Sequence, residues 1–325
     1  MHNLKIWNYL SIPWLVFTLT FFVVFFLLAF LVEVDSSYLS RNYLNKLFLN
    51  TIILSFGSAI LSAIIAVPLA ILVTFYKFPG HKFFSWSLSL SIAFPAYVYA
   101  FIYVGIFEYA SPVSEYLRNF NISLPQIKNI YGASLIMAMA LFPYIFLLTK
   151  AHLGSVGIKV FKAAKSLGDT NITAIRKVII PSLWPTIIAG MALVIFETIA
   201  DFGGVSTLRV DTFTVGIYDA WFGYQSYFSA TRLAGFLLLF VFLIMFLAKY
   251  FGEKSVNLAS KTAETFERIE TTPIVRIGML IFCSLIFIIV FCIPTTQLIV
   301  WNLADSNLNL ISVSYTHLRA HETPI

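Results

Sequence analysis

Apolar runs of membrane-crossing length recur along this chain, and short polar stretches divide them. A helix needs about twenty apolar residues to span the hydrocarbon core of a bilayer. Seven runs approach or exceed that length, at residues 12–32, 51–75, 83–107, 130–149, 183–200, 233–251 and 277–301. They differ from the roughly ten-residue alternating segments of a membrane barrel. The pattern predicts an all-α, polytopic membrane helix bundle of about seven transmembrane helices. The first run is Leu, Val and Phe on every side, which suits a lipid-facing helix. The second places Ser55, Ser58, Ser62 and Ala66 on one face, a stripe that lets a neighbouring helix approach closely. Pro68, Pro95 and Pro143 interrupt runs two to four and free backbone carbonyls. Membranes tolerate this where protein or a wet cavity satisfies those groups. The centre of the bundle is expected among runs two to six.

Composition removes the soluble alternatives. Apolar residues make up 59% of the chain, charged residues 11%, and the mean hydropathy is +0.88. A soluble domain carries about 25% charged residues. The net charge of +6 is therefore a question of topology and not a nucleic-acid footprint. With the N-terminus in the cytoplasm, that side holds Lys5, Lys77, Lys82, Lys150, Lys159, Lys162, Lys165, Arg176, Lys177, Lys249, Lys254, Lys261, Arg268 and Arg276. The far side holds Arg41, Lys46, Arg118, Lys128, Arg209, Arg232 and Arg319. This two-to-one excess predicts a cytoplasmic N-terminus and a cytoplasmic loop at 151–182. Cys283 and Cys292 fall nine residues apart in one run, on nearly opposite helix faces, so no bridge joins them.

The 151–182 loop has the most informative pattern. It reads Lys162-Ala163-Ala164, then Gly168 after three residues, then Val178-Ile179-Ile180-Pro181 after nine more. Two short helices are predicted, 158–167 and 171–180, with Gly168 as a left-handed cap between them and Asp169 or Thr170 capping the second. Ala163 and Ala164 lack bulk, so another surface can approach closely. A plain basic, amphipathic helix on the headgroups would also fit. Residues 253–275 are polar and read as a cytoplasmic linker before the seventh run. Residues 313–325 match nothing before them and read as an artefactual tail, the natural protein continuing past Ser312 in other residues.

Candidate residues for a path lie in the spans. Glu197 is a carboxylate inside a run, where charge costs about 2.5–3.5 kcal/mol on insertion scales. Its plainer role is to bond a neighbouring helix near the outer interface. Asp201, Asp211 and Asp219 follow and form either an acidic vestibule or a solvated loop. Tyr97, Tyr99 and Tyr103 surround Pro95, with Tyr99 and Tyr103 sharing a face, and line a path or simply pack. No Cys, His and carboxylate cluster has metal-centre spacing, and no catalytic motif or cofactor site is found. The chain also lacks Gly-x4-Gly-Lys-Ser/Thr, so it is no ATPase by that motif.

The loop spacing resembles the signature of ABC-transporter permeases of the binding-protein-dependent import class, Glu-Ala-Ala-x3-Gly-x9-Ile-x-Leu-Pro. Ala163, Ala164, Gly168 and Pro181 match in register, Val178 and Ile180 are apolar equivalents, and Lys162 stands where the family most often has Glu. Residues 197–205 and 212–221 resemble the ferric-iron branch, whose members typically fuse two six-span halves. The resemblance implies an N-terminal stub and first span at 1–44, one type-1 permease half at 45–252, and the first span of a second half at 276–303. It implies a coupling loop that docks on a separate ATP-binding cassette subunit, a periplasmic substrate-binding protein, a second permease half, and residence among the lipids of a bacterial inner membrane. Thiamine, polyamine, sulfate or phosphonate import stays open as the cargo, as does an ion-coupled transporter using Glu197, or a non-transporting scaffold.

Overall fold

The computed structural model describes residues 2–32, 40–252 and 268–303. The tail at 313–325 and most of the linker, 253–267, lie outside the described residues. Helix α1 (His2–Leu31) is greasy on all sides and lies at the margin, with 6% of its apolar window buried. It leans on α12 (Tyr227–Gly252) through the ring pairs Phe22–Phe242 and Phe30–Phe236. Arg232 donates to the Ala29 and Val32 carbonyls at 3.1 and 2.6 Å, satisfying the end of α1.

Helices α2 (Arg41–Phe75), α6 (Ile130–His152) and α9 (Ile180–Ala200) pack against one another and form the centre. The α6 segment is the most enclosed, with 67% of its window buried. Ser55, Ser58, Ser62 and Ala66 of α2 are all fully buried. Ser62 donates across to the Ala138 carbonyl of α6 at 3.3 Å. A Cβ on Gly57 would stand 3.0 Å from Ser134 Oγ, so small residues are what allow this approach. Asn129 caps α6 by accepting from the Tyr131 and Gly132 amides, both at 3.0 Å.

The third run is not straight. Helix α3 (His81–Ser87) continues as a 3-10 turn (Leu88–Ala93), and the chain bends by 89° before α4 (Ala96–Phe107) and α5 (Pro112–Arg118). Phe94 is extended because the following Pro95 disfavours a helical conformation there, and Pro95 has no amide to donate. The two arms still make one crossing. Lys150 near the C-terminus of α6 donates to the Ser85 carbonyl, whereas Lys128 just before its N-terminus pairs with Glu108 at 2.9 Å. The bent pair thus runs the length of α6. With it, the described residues hold up to seven candidate crossings, six of them single helical segments long and apolar enough to span a bilayer.

The seventh crossing begins with α13 (Pro273–Phe287) and relaxes into a π turn at Ile288–Cys292. Tyr99 donates to the Val290 carbonyl and Tyr103 to the Ile289 carbonyl at 2.5 Å, so both phenols serve backbone groups in that wide turn. At the other end, Lys77 pairs with Glu270 at 2.7 Å beside a bridge between Tyr76 and Ile269. Cys283 and Cys292 are both free.

Candidate functional site

Two features stand out on the α6–α9 pair, at different levels. The first is the elbow joining them. Helix α6 passes through a π turn (Leu153–Gly157) into α7 (Ile158–Ser166). After the turn, α8 (Asn171–Ala174) passes through a second π turn (Ile175–Ile179) into α9. The second wide turn carries its bond from the Ile180 amide to the Ile175 carbonyl, directly before Pro181, which has no amide of its own. The result is two long helical segments, Ile130–Ser166 and Asn171–Ala200, joined by four residues.

The joint is closed by hydrogen bonds. Gly168 has φ 95°, its amide donates to the Lys165 carbonyl at 3.1 Å, and the Asp169 amide donates to the Ala164 carbonyl at 3.2 Å. This pairing satisfies carbonyls that the end of α7 would otherwise leave open. Thr170 caps α8 by accepting from the Thr173 amide at 3.2 Å. Lys162, Ala163 and Pro181 are exposed, and Val178 and Ile180 are partly covered. The sequence reading treats Ala163 and Ala164 as one open surface, and the structure separates them. Ala164 is 5% exposed and lies on the inward stripe with Ile158 and Phe161, whose ring meets Phe75. Only Ala163 faces outward. Two residues that sequence reasoning passed over, Leu167 and Ile172, are 88% and 75% exposed at the tip.

The second feature is a cavity of about 280 Å³ at the 89° bend. Tyr97, Tyr144, Glu197 and Asp201 contribute its polar lining, with Pro95 and Ala200 among the apolar part. Here the irregular backbone at Phe94–Pro95 faces a cavity, the setting that a broken span requires. Glu197 is exposed, and Tyr144 on α6 lies within its electrostatic reach. Asp201 caps the end of α9 and accepts at 3.2 Å from the Gly204 amide in the first turn of α10 (Gly203–Thr207), which α11 (Phe213–Tyr218) follows. Burial pushes its carboxyl above the usual carboxylate range and Glu197 adds to the push, while the Gly204 and Gly203 amides work against it. The paired glycines allow this turn to lie close to its neighbours. A Cβ on Gly203 would stand 2.9 Å from Tyr97, and one on Gly204 would stand 2.6 Å from Met137.

Of the residues singled out from sequence, Glu197 and Asp201 meet at this cavity, whereas Tyr99 and Tyr103 are turned to the seventh crossing. Tyr97 and Tyr144 take their place. Tyr97 adjoins the bend in sequence, but Tyr144 reaches the cavity only because α6 crosses α9. The acidic loop that follows α9 is also divided. Asp211 pairs with Lys46 at 2.6 Å, and only Asp201 lines the cavity. Among the described residues no three His, Cys, Asp or Glu side chains form a metal-holding group.

Comparison with known proteins gives this geometry a family. The sulfate transport system permease protein CysT of Salmonella typhimurium is 27% identical over 155 residues, 48% of this chain and 55% of that protein. The Fe(3+)-transport system permease protein FbpB 2 of Haemophilus influenzae is 24% identical over 272 residues, 83% of this chain and 50% of that protein. The chain thus spans about half the length of the curated relatives it matches. In fold it is similar to a bacterial ABC transporter involved in import of the acidic polysaccharide alginate. The TM-score is 0.55 at 17% identity, over 78% of this chain and 100% of that one. Residues 66–256, more than half of the chain and including both the elbow and the bend, match the binding-protein-dependent transport system inner membrane components, and the chain belongs to that family.

Proposed function

We propose that this chain is a membrane-spanning permease part of an ATP-driven importer. The observation that carries the reading is the elbow. A rigidly closed turn offers Ala163, Leu167 and Ile172 to an outside partner at the end of two helices that also frame the bend cavity. In this reading a separate ATP-binding cassette subunit holds the elbow on the cytoplasmic side. Its nucleotide cycle moves the bundle between two packings. A periplasmic substrate-binding protein delivers cargo to the opposite end, and a second permease half, fused or separate, completes the pathway. The chain sits in the bacterial inner membrane with its N-terminus in the cytoplasm, and catalysis of ATP hydrolysis belongs to the cassette.

Ferric iron is the cargo this reading favours. Glu197, Asp201, Tyr97 and Tyr144, whose side chains carry oxygen donors of the type that suits a hard cation, line the cavity. The likeness to the Haemophilus iron protein also covers more of the chain than the likeness to the sulfate protein. Sulfate is the second reading, supported by the CysT relatives.

The test expresses the gene together with its cassette and binding-protein genes and follows uptake and cassette retention. Ala163→Asp and Leu167→Glu change exposed positions, so each is expected to leave the unfolding temperature unchanged. Each should cut uptake and cassette retention by about tenfold or more, as loss of a hot-spot contact does. Intact uptake and intact retention in both would sink the coupling role. Glu197→Gln separates the cargoes: iron uptake should fall while sulfate uptake stays absent, and the reverse pattern would select sulfate.

A further inference from the structure

A second cavity, of about 490 Å³, opens at the N-terminal end of α6, opposite the elbow. Three bases and one acid line it: Arg118, Lys128, Arg209 and Glu108. The guanidinium of Arg118 lies 3.9 Å over the Tyr109 ring and donates to the Tyr109 carbonyl at 2.5 Å, which fixes its plane. Lys128 is engaged by Glu108 at 2.9 Å. Arg209 forms no ion pair among the described residues.

The backbone at Arg209 supplies an independent observation. It stands at φ 56°, in the left-handed region, with its amide on the Ser206 carbonyl at 3.0 Å and the Val210 amide on the Val205 carbonyl at 3.2 Å. This is the position after a helix that glycine fills without strain. Here it holds an arginine, one of the residues lining a cavity whose charged residues are three bases and one acid. A strained residue at a concave site is a reason to look for a ligand.

We infer that this cavity binds a tetrahedral oxyanion of the sulfate or phosphate type, held by Arg209 and Arg118 with Lys128 at the rim. A guanidinium matches such an ion bidentately. Ser114, Ser123 and Gln126 supply neutral polar groups to the same cavity. The same chemistry is offered by a free anion and by the phosphate of a lipid headgroup. The site shares no lining residue with the bend cavity, so it stands whichever cargo the importer carries.

The experiment titrates the purified full chain in nanodiscs with sodium sulfate and sodium phosphate, against sodium chloride at matched ionic strength, and reads the unfolding temperature. Sulfate or phosphate is expected to raise it beyond chloride. Arg209→Gly should raise the starting unfolding temperature by relieving the strain, yet weaken the apparent affinity by roughly tenfold, the loss of one charge-assisted contact. Glu108→Gln should tighten it by about threefold by freeing Lys128, the scale of an exposed ion pair. Lys82→Gln, which removes an exposed base outside this cavity, should titrate as the parent does. Equal shifts with chloride, or an Arg209→Gly titration like the parent's, would overturn the proposal. Discs of phosphatidylcholine and discs containing phosphatidylglycerol separate the two sources. A response to the free anion in both supports a soluble ligand, and a response that phosphatidylglycerol suppresses supports a headgroup phosphate.

Discussion

At Gly168 the backbone stands at φ 95°, and a Cβ there would meet nothing within 4 Å. Gly168→Ala therefore carries a conformational cost alone, about 1–2 kcal/mol. Thermal unfolding of the purified chain should show it as a modest loss. Gly204→Ala is a different case, because the added carbon would run into Met137 and the Asp201 carboxylate. Its cost is steric, about 1–3 kcal/mol, and it should also disturb the cavity. Asp201 yields a pH prediction. Burial raises its carboxyl above the ordinary value of 3.8, so the folded chain holds that proton more tightly than the unfolded chain. Its contribution to stability is complete below 3.8 and fades as pH rises through the raised value. Asp201→Asn keeps an acceptor for the Gly204 amide and should flatten the fall in unfolding temperature across that window. An unchanged slope would show that Asp201 does not set it. The separation of Ala163 from Ala164 was open to detection in the sequence. Ile158, Phe161 and Ala164 recur every three residues, which puts Ala164 on the apolar stripe and Ala163 beside it.

Among the elements, the seven apolar runs were readable because each is long, and length in a bilayer is set by thickness alone. Helix α2 nevertheless begins at Arg41, ten residues before its apolar run, since helical structure continues into water where Ser40 can cap it. The bend at Pro95 was readable as an interruption, but its 89° angle depends on where α6 and α10 receive the second arm. The roles of the three tyrosines were not readable at all. Tyr99 and Tyr103 share a face, and the π turn in the seventh crossing determines what that face meets. Tyr99→Phe and Tyr103→Phe are each expected to lower stability by about 1 kcal/mol, as interhelical hydrogen bonds in membranes do. They should also make the seventh crossing more accessible to protease. Tyr97→Phe should leave both readouts alone and alter uptake instead. If all three variants behave alike, the division between packing and path tyrosines is wrong.

For the molecule as a whole, the distribution of bases makes a checkable statement about sidedness. A cysteine at Lys162 should react with a membrane-impermeant maleimide only when the cytoplasmic face is open to it, and one at Arg118 only from the other side. Labelling of the Lys162 position from the outer side would remove the elbow from reach of any cytoplasmic partner. The two ends of the bundle also differ chemically. One presents the closed elbow with its exposed Leu167 and Ile172, and the other a basic cavity around Arg118 and Arg209.

Tyr144 and Glu197 belong to the same two helical segments that meet at Gly168. At 1.5 Å per residue, Tyr144 is about 35 Å from the tip along one segment, and Glu197 about 39 Å from it along the other. Neither segment breaks in between. Under the proposed coupling, a tug on the tip would not have to pass hand to hand through side chains: like the arms of a pair of tongs, the two rods would change their spacing at the jaws when the joined end is turned.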